Sequence, residues 1–271
     1  MILILTFVSH SFYSQSSLDS FPYTIDSNIL DLRVDRLQNV WQIYPNYILR
    51  KSQDKAYQDT FNYRFNPDNN AIDLKFTLKN LFFNKQSNSI ELLNSRWGVL
   101  STLKLDKIEI YQPCLVKFSS DENFWVLDMS SNNLFKVNEN GIKKYIRKNP
   151  FKIGNKFFFP TNLIDNKSYI VALDTSYGLF VIDDYGNLSQ HIWLASANAI
   201  FPYGENIILV NDSSMGMYAY DTKDRQLKLM GKNISITSKI KSIVELNENA
   251  LILNENKRIY KIENLSKLFL K

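Results

Sequence analysis

The stretch SSDENFWVLDMSSNNLFKV, residues 119–137, decides the fold. It opens on a polar turn ending in Asn123. The compact apolar run Phe124, Trp125, Val126 and Leu127 follows, and a second polar turn leads to Leu134, Phe135 and Val137. Two short apolar segments joined by turn-forming Asp, Ser and Asn read as paired β-strands. The same arrangement recurs five more times. Asn39 leads into Val40, Trp41 and Ile43, then Tyr47, Ile48 and Leu49. Asn80 leads into Leu81, Phe82 and Phe83, then Ile90 and Leu92. Ser168 leads into Tyr169, Ile170 and Val171, then Leu179 to Ile182. Asn206 leads into Ile207 to Val210, then Met217, Tyr218 and Tyr220. Asn249 leads into Ala250 to Leu253, then Ile259, Tyr260 and Ile262.

The anchors at 39, 80, 123, 168, 206 and 249 step by 41, 43, 45, 38 and 43 residues. Strand-bearing repeats of about 40–50 residues have the spacing of a β-propeller, with one four-stranded sheet per blade. The first run of each pair is apolar at nearly every position, as a strand covered on both faces must be. Outer strands should mix in charge, and Ile142, Lys143, Lys144, Tyr145 and Ile146 do so. Short strands fit ahead of the anchors, at Leu30, Leu32 and Val34 and at Leu115, Val116 and Phe118. No dozen residues keep a 3.6-residue apolar stripe. The expected fold is all-β, a single six-bladed propeller of degenerate repeats about 42 residues long. Its rival, a β-sandwich with a second small domain, would need a linker that the regular spacing does not leave.

The segments 34–51 and 119–141 resemble blades of NHL-type and YncE-like propellers, in which an acidic turn precedes a Gly-Asn-aromatic strand. Asp35, Asn39 and Trp41 match, as do Asp121, Asn123 and Trp125, while Gln38 and Glu122 stand where the turn glycine would be. The chain is also similar to small extracytoplasmic propellers of Gram-negative bacteria with Asn-, Lys- and Ile-rich proteins. The resemblance implies a fold and an envelope location, and it carries over no functional residue.

Composition narrows the chemistry. Phe, Tyr and Trp make 14% of the 271 residues, which suits packed sheets, and Asn rather than the 8 glycines supplies the turns. The net charge of +5 is too diffuse to point to nucleic acid. One cysteine, Cys114, excludes an intrachain disulfide and a cysteine-based metal site. Residues 1–15 read as a signal peptide: the run Ile2–Val8 precedes a small polar stretch, Ser9 to Ser17, although no Lys or Arg comes before it. Residues 16–271 are then the propeller, with a periplasmic or secreted location. The alternative is a buried first strand in a cytoplasmic protein. No stretch approaches the roughly 20 apolar residues of a membrane-spanning helix.

No catalytic, cofactor-binding or metal site is assigned. His191 lies outside the signal segment without a nucleophile and orienting acid to complete a set. Asp128, Ser130, Asn132 and Asn133 gather calcium-type oxygens but lack the glycine and distal glutamate of a dedicated loop, so a polar turn is the favoured reading. Asp174, Asp183, Asp184 and Asp212 read the same way. Trp41 and Trp125, at equivalent positions, favour blade packing over ligand stacking. Basic residues concentrate once, at Lys143, Lys144, Arg147, Lys148, Lys152 and Lys156 with no acid between them: a candidate face for an anionic partner, or an outer strand kept soluble by charge. The expected function is a monomeric, non-catalytic binding or scaffold module of the cell envelope with a protein or envelope partner. The alternatives are a lactonase-like enzyme using the central channel and a sensory propeller acting with a separate partner. For ring closure, residues 20–25 are expected to pair with the last blade, and removal of residues 266–271 to be nearly silent.

Overall fold

Every anchor opens the second strand of a sheet, and those second strands build the core. The computed structural model describes residues 28–269 apart from 36, 53–56, 63–65, 67–69, 77, 184, 195–196, 237–238, 247–248, 255–258, 264 and 266–268. The expected signal segment and the closing strand at 20–25 lie outside the described residues.

Blade one is β1 (Asp31–Val34), β2 (Val40–Ile43), β3 (Tyr47–Lys51) and β4 (Gln58–Asn62). Blade two is β5 (Asn70–Asp73), β6 (Asn80–Asn84), β7 (Ser89–Leu93) and β8 (Val99–Lys104). Blade three is β9 (Pro113–Phe118), β10 (Phe124–Asp128), β11 (Asn133–Val137) and β12 (Lys143–Lys148). A small hairpin, β13 (Lys152–Ile153) and β14 (Lys156–Phe157), precedes blade four, which is β15 (Asn162–Asp165), β16 (Tyr169–Asp174), β17 (Gly178–Asp183) and β18 (Leu188–Ile192). Blade five is β19 (Ala197–Tyr203), β20 (Asn206–Asn211), β21 (Ser214–Asp221) and β22 (Gln226–Leu229), with β23 (Ile234–Ser235) also on β21. A last sheet holds β24 (Ile240–Leu246), β25 (Asn249–Asn254) and β26 (Ile259–Glu263). The strand pairs are antiparallel and, within each blade, follow chain order. The hairpin accounts for the longest anchor step, 45 residues.

Each second strand buries both faces: all positions of β2, β10 and β16 are buried, whereas exposure alternates along the outer β4. Alternate side chains therefore feed two different cores. Ile170 and Ala172 of β16 pack toward blade three, and Tyr169, Val171 and Leu173 pack toward blade five. The same holds at every boundary. Separate apolar clusters join blades one and two, two and three, three and four, four and five, five and the last sheet, and the last sheet and blade one. The last of these sets Val244, Leu251 and Leu253 against Leu32, Val40 and Leu49, so the sheets run round a closed ring.

The expectation of six four-stranded blades is corrected by this arrangement. Five blades are complete, and the last sheet has three strands among the described residues. The described part of the tail after Ile262 does not supply a fourth. Leu265 and Phe269 are helical, four residues apart, fully buried in the cluster between blade five and the last sheet. The amide of Lys232 donates to the Phe269 carbonyl at 3.0 Å. Removal of residues 266–271 is therefore not expected to be silent, because it extracts a buried aromatic.

Asn and charged residues do the work of glycine in the turns. Gln38, Glu122 and Lys167, each directly before an anchor, adopt left-handed backbone with φ of 63°, 64° and 54°. Such a conformation costs an L-residue about 1–2 kcal/mol. At the far end of the second strand, Asn84, Asp128, Asp174 and Asn211 each accept backbone N–H groups of the following turn. The outer edges of three blades carry β-bulges, which blunt them against edge-to-edge association.

Phe269→Ala should lower unfolding stability by about 3–5 kcal/mol, the cost of a cavity left by a large buried aromatic. Urea titration checks this, and an unchanged midpoint would show that the C-terminal plug is dispensable.

Candidate binding surface

Antiparallel register divides the six basic residues. Lys143 pairs with Val137 on the side of blade two. There its ammonium lies 3.5 Å from a Glu109 carboxylate oxygen and 4.9 Å from the Phe135 ring. Lys144 is the extra residue of the β12 bulge. It borders a cleft of about 220 Å³ shared with Lys79, Asp121, Glu122 and Glu139, where charges of both signs meet. Arg147 turns to the other side and stacks 5.7 Å from the Trp125 ring and 4.8 Å from the Tyr145 ring. Lys143 is thus paired with an acid and Arg147 lies against two rings, while Lys144 only lines the cleft.

The remaining three, Lys148, Lys152 and Lys156, are exposed where blades three and four meet. The β13–β14 hairpin is held there by its flanking aromatics. Phe151 and Phe158 are buried 5.7 and 5.2 Å from the Phe180 ring, and Phe158 N–H donates to the Phe151 carbonyl at 2.9 Å. Gly154, at φ 59°, makes the tip turn. Lys152 reaches over the Phe157 ring at 5.1 Å, and Lys156 donates to the Tyr177 hydroxyl at 2.6 Å. Phe157 borders a crevice with Leu127, Asn132 and Asn149 of blade three, while Tyr177 packs on Trp193 of blade four at 5.6 Å. The surface is continuous across the seam, with Ile153, Phe157 and Trp193 exposed at 37%, 36% and 63%. It presents three cations among aromatics, and none of the three has a carboxylate partner among the described residues.

The other candidates resolve into structural roles. Asp128 is fully buried and accepts from the Ser130 and Ser131 hydroxyls, the Ser131 amide and the Gln112 amide. Asp174 accepts the Ser176 and Tyr177 amides, Asp183 accepts the Asn187 amide, and Asp212 accepts from Asn198. Asp184 lies outside the described residues. No group of three metal-type ligands occurs among the described residues. Trp41 and Trp125 are buried at 0% and 3%, so both pack within the blades. Their indoles nevertheless differ. Trp41 Nε1 donates to Asp35 of its own blade at 3.0 Å, whereas Trp125 Nε1 donates to Asp165 of blade four at 2.6 Å. Asp121, the sequence counterpart of Asp35, instead pairs with Lys136 at 2.8 Å.

His191 sits on the outermost strand of blade four. Its Nε2 donates to the Tyr177 carbonyl at 2.9 Å, and its ring packs 4.6 Å from Phe180 and 5.9 Å from Trp193. A carbonyl accepts only, so Nε2 carries the proton in this hydrogen bond.

With the geometry in place, comparison with known proteins adds the class. No family model matches the chain, and no curated protein matches it. Solved structures do. A streptogramin B lyase superposes with TM-score 0.58 at 13% identity over 89% of this chain and 84% of the other. The β-propeller domain of Cps50 (Swd1) from Myceliophteria thermophila gives 0.61 at 9% over 89% and 84%. A catalytically inactive histidine-to-alanine variant of virginiamycin B lyase from Staphylococcus aureus, with quinupristin, gives 0.55 at 13% over 89% and 87%. At such identities the likeness concerns fold alone. The chain is an all-β propeller. No helix among the described residues is long and apolar enough to cross a membrane.

Burial opposes a charge on Asp128, but its serine and amide hydrogen bonds outweigh burial and hold the carboxyl below the ordinary aspartate range. A depressed folded pKa gives stability that is complete above the unfolded value, about 3.9, and is lost as pH falls through the folded one. Asp128→Asn should therefore flatten the acid limb of stability against pH. A limb of unchanged slope would remove Asp128 from that role.

Proposed function

We propose that this protein is a non-catalytic binding or scaffold propeller that engages an anionic partner through the seam between blades three and four. The observation that carries the reading is the hairpin surface. Lys148, Lys152 and Lys156 stand exposed beside Ile153, Phe157 and Trp193, with no carboxylate paired to them among the described residues. Cations on an aromatic platform attract anions at range and offer apolar area on docking. Of the rest of the sequence cluster, Lys143 pairs with Glu109, Lys144 borders a different cleft and Arg147 lies against Trp125 and Tyr145.

On this reading the chain is a degenerate relative of NHL- and YncE-like propellers. The run Ile2–Val8 exports it to the cell envelope. Both binding modules and a lyase have this fold, so fold does not choose between them. Against a lyase-like reaction stands the placement of His191. It is fixed on an outermost strand by a carbonyl and three rings, with no carboxylate on its ring among the described residues.

Affinity for immobilised dextran sulfate, read as the salt concentration of elution, tests the assignment. Removing a cation that pairs with a sulfate should weaken the salt dependence, because fewer counterions are then released on binding. Lys148→Gln combined with Lys152→Gln and Lys156→Gln should elute at clearly lower salt than wild type, and Lys143→Gln with Lys144→Gln should elute near wild type. Equal shifts in both variants would reduce the attraction to diffuse net charge and refute the surface.

A further inference from the structure

The first strands of the sheets pack on one another around the ring axis: β1 against β24, β24 against β19, β19 against β15, β15 against β9 and β9 against β5. Their free edges face the axis, where polar groups must find partners or water. Among the described residues the acids here are already committed. Asp31 pairs with Arg33 at 2.7 Å. Asp73 accepts the Phe118 amide at 2.9 Å and the Lys75 amide at 3.1 Å. Asp165 accepts the Ser120 and Lys167 amides and the Trp125 indole. Lys75 donates to the Asp165 carbonyl at 3.2 Å.

Lys117, in the middle of this group on β9, has neither a side-chain hydrogen bond nor an ion pair to any described residue, although its side chain is half-buried. Its electrostatic neighbours are Asp73, Arg33, Asp31 and Lys75, reached across blades one and two. Burial pulls its ammonium below the ordinary lysine range, against the opposing pull of Asp73. Half-buried and without a protein partner, the ammonium is left to water or to an anion at the axis.

The same strand edge already binds carboxylates. Ser119 N–H pairs with the Asn123 carbonyl, inside blade three, so strand alternation turns the Phe118 amide the other way, and Asp73 of blade two meets it. In the turn just beyond β9, the Ser120 amide meets Asp165 of blade four. Alternation also turns the Val116 N–H, beside Lys117, to the axis. No hydrogen bond outside the strand ladders uses it among the described residues.

We propose that the axis-facing edge of β9 binds a small oxyanion, the carboxylate or phosphate group of a small molecule, on the Lys117 ammonium and the Val116 amide. The site is independent of the hairpin surface. It repeats at Val116 what Asp73 does at Phe118, with an external acceptor in place of Asp73. A charge-assisted pair of this kind is short and strong.

Thermal unfolding in sodium phosphate and in sodium acetate, each against sodium chloride of equal ionic strength, tests the site. Wild type should be stabilised by at least one of the two oxyanions in a saturable manner, and which one does so distinguishes phosphate from carboxylate. Lys117→Met should unfold at higher temperature than wild type in chloride, since it removes an unpaired charge. Its affinity for the oxyanion should fall about tenfold to a hundredfold. The Lys148→Gln, Lys152→Gln and Lys156→Gln triple variant should keep the full oxyanion effect, whatever becomes of its dextran sulfate affinity. Should Lys117→Met fail to fold, the resonances of reductively ¹³C-methylated wild type decide, with the Lys117 signal identified by its absence from Lys117→Gln. Movement of that signal with phosphate or acetate, and not with chloride, supports the site. No stabilisation of wild type, equal stabilisation of wild type and Lys117→Met, or a Lys117 signal indifferent to both oxyanions overturns it.

Discussion

The structure depends on the two-sided burial of the second strand of each sheet. A strand that is apolar on both faces cannot be satisfied within its own sheet, because one sheet can cover neither of its faces. It needs a neighbour on each side, and each neighbour has the same need. A ring is the arrangement in which every sheet is covered and no apolar face is left at an end. The clusters alternate along β16, odd positions to one blade and even positions to the next, which shows this requirement at single-residue scale. The boundary between the last sheet and blade one is where the ring closes, and it is built from the same residue types as the others.

Polar groups then decide what the ring can present. Asn84, Asp128, Asp174 and Asn211 close their turns by accepting backbone amides. Carboxylates also cross blade boundaries near the axis, where Asp165 joins Ser120 and Trp125 of the preceding blade, and Glu245 of the last sheet accepts the Gly204 amide of blade five. Two cationic features stand where an outside anion could reach them. One is the hairpin at the seam of blades three and four, and the other is Lys117 at the axis.

Much of the fold was legible because burial writes itself into the sequence as apolar runs at a fixed period. All six anchors open second strands, and the charged run 143–148 is an outer strand. The Asp121–Asn123–Trp125 analogy with Asp35–Asn39–Trp41 failed at its acid, since Trp125 bonds to a residue 40 positions away and sequence spacing carries no signal of that pairing. The plug at Leu265 and Phe269 escaped because two apolar residues four apart are too few to show a periodicity. The basic cluster was legible as composition but not as a surface. Strand alternation and a bulge at Lys144 send its members to different neighbours, and only register shows that Lys143 meets Glu109. The Asn or Asp at the end of the second strand was present in several repeats and would have sharpened the alignment.

The central claim is that the ring is one cooperative unit held by sheet-to-sheet burial, the three-stranded sheet included. Native-state hydrogen exchange across a urea series measures this most directly, because amides that open only by global unfolding share one free energy and one denaturant dependence. Amides of β2, β6, β10, β16, β20 and β25 should converge on a single opening isotherm. Exchange of β25 through a separate opening of clearly lower energy, with the other five unaffected, would show that the last sheet is an appendage and that the ring does not depend on its closure.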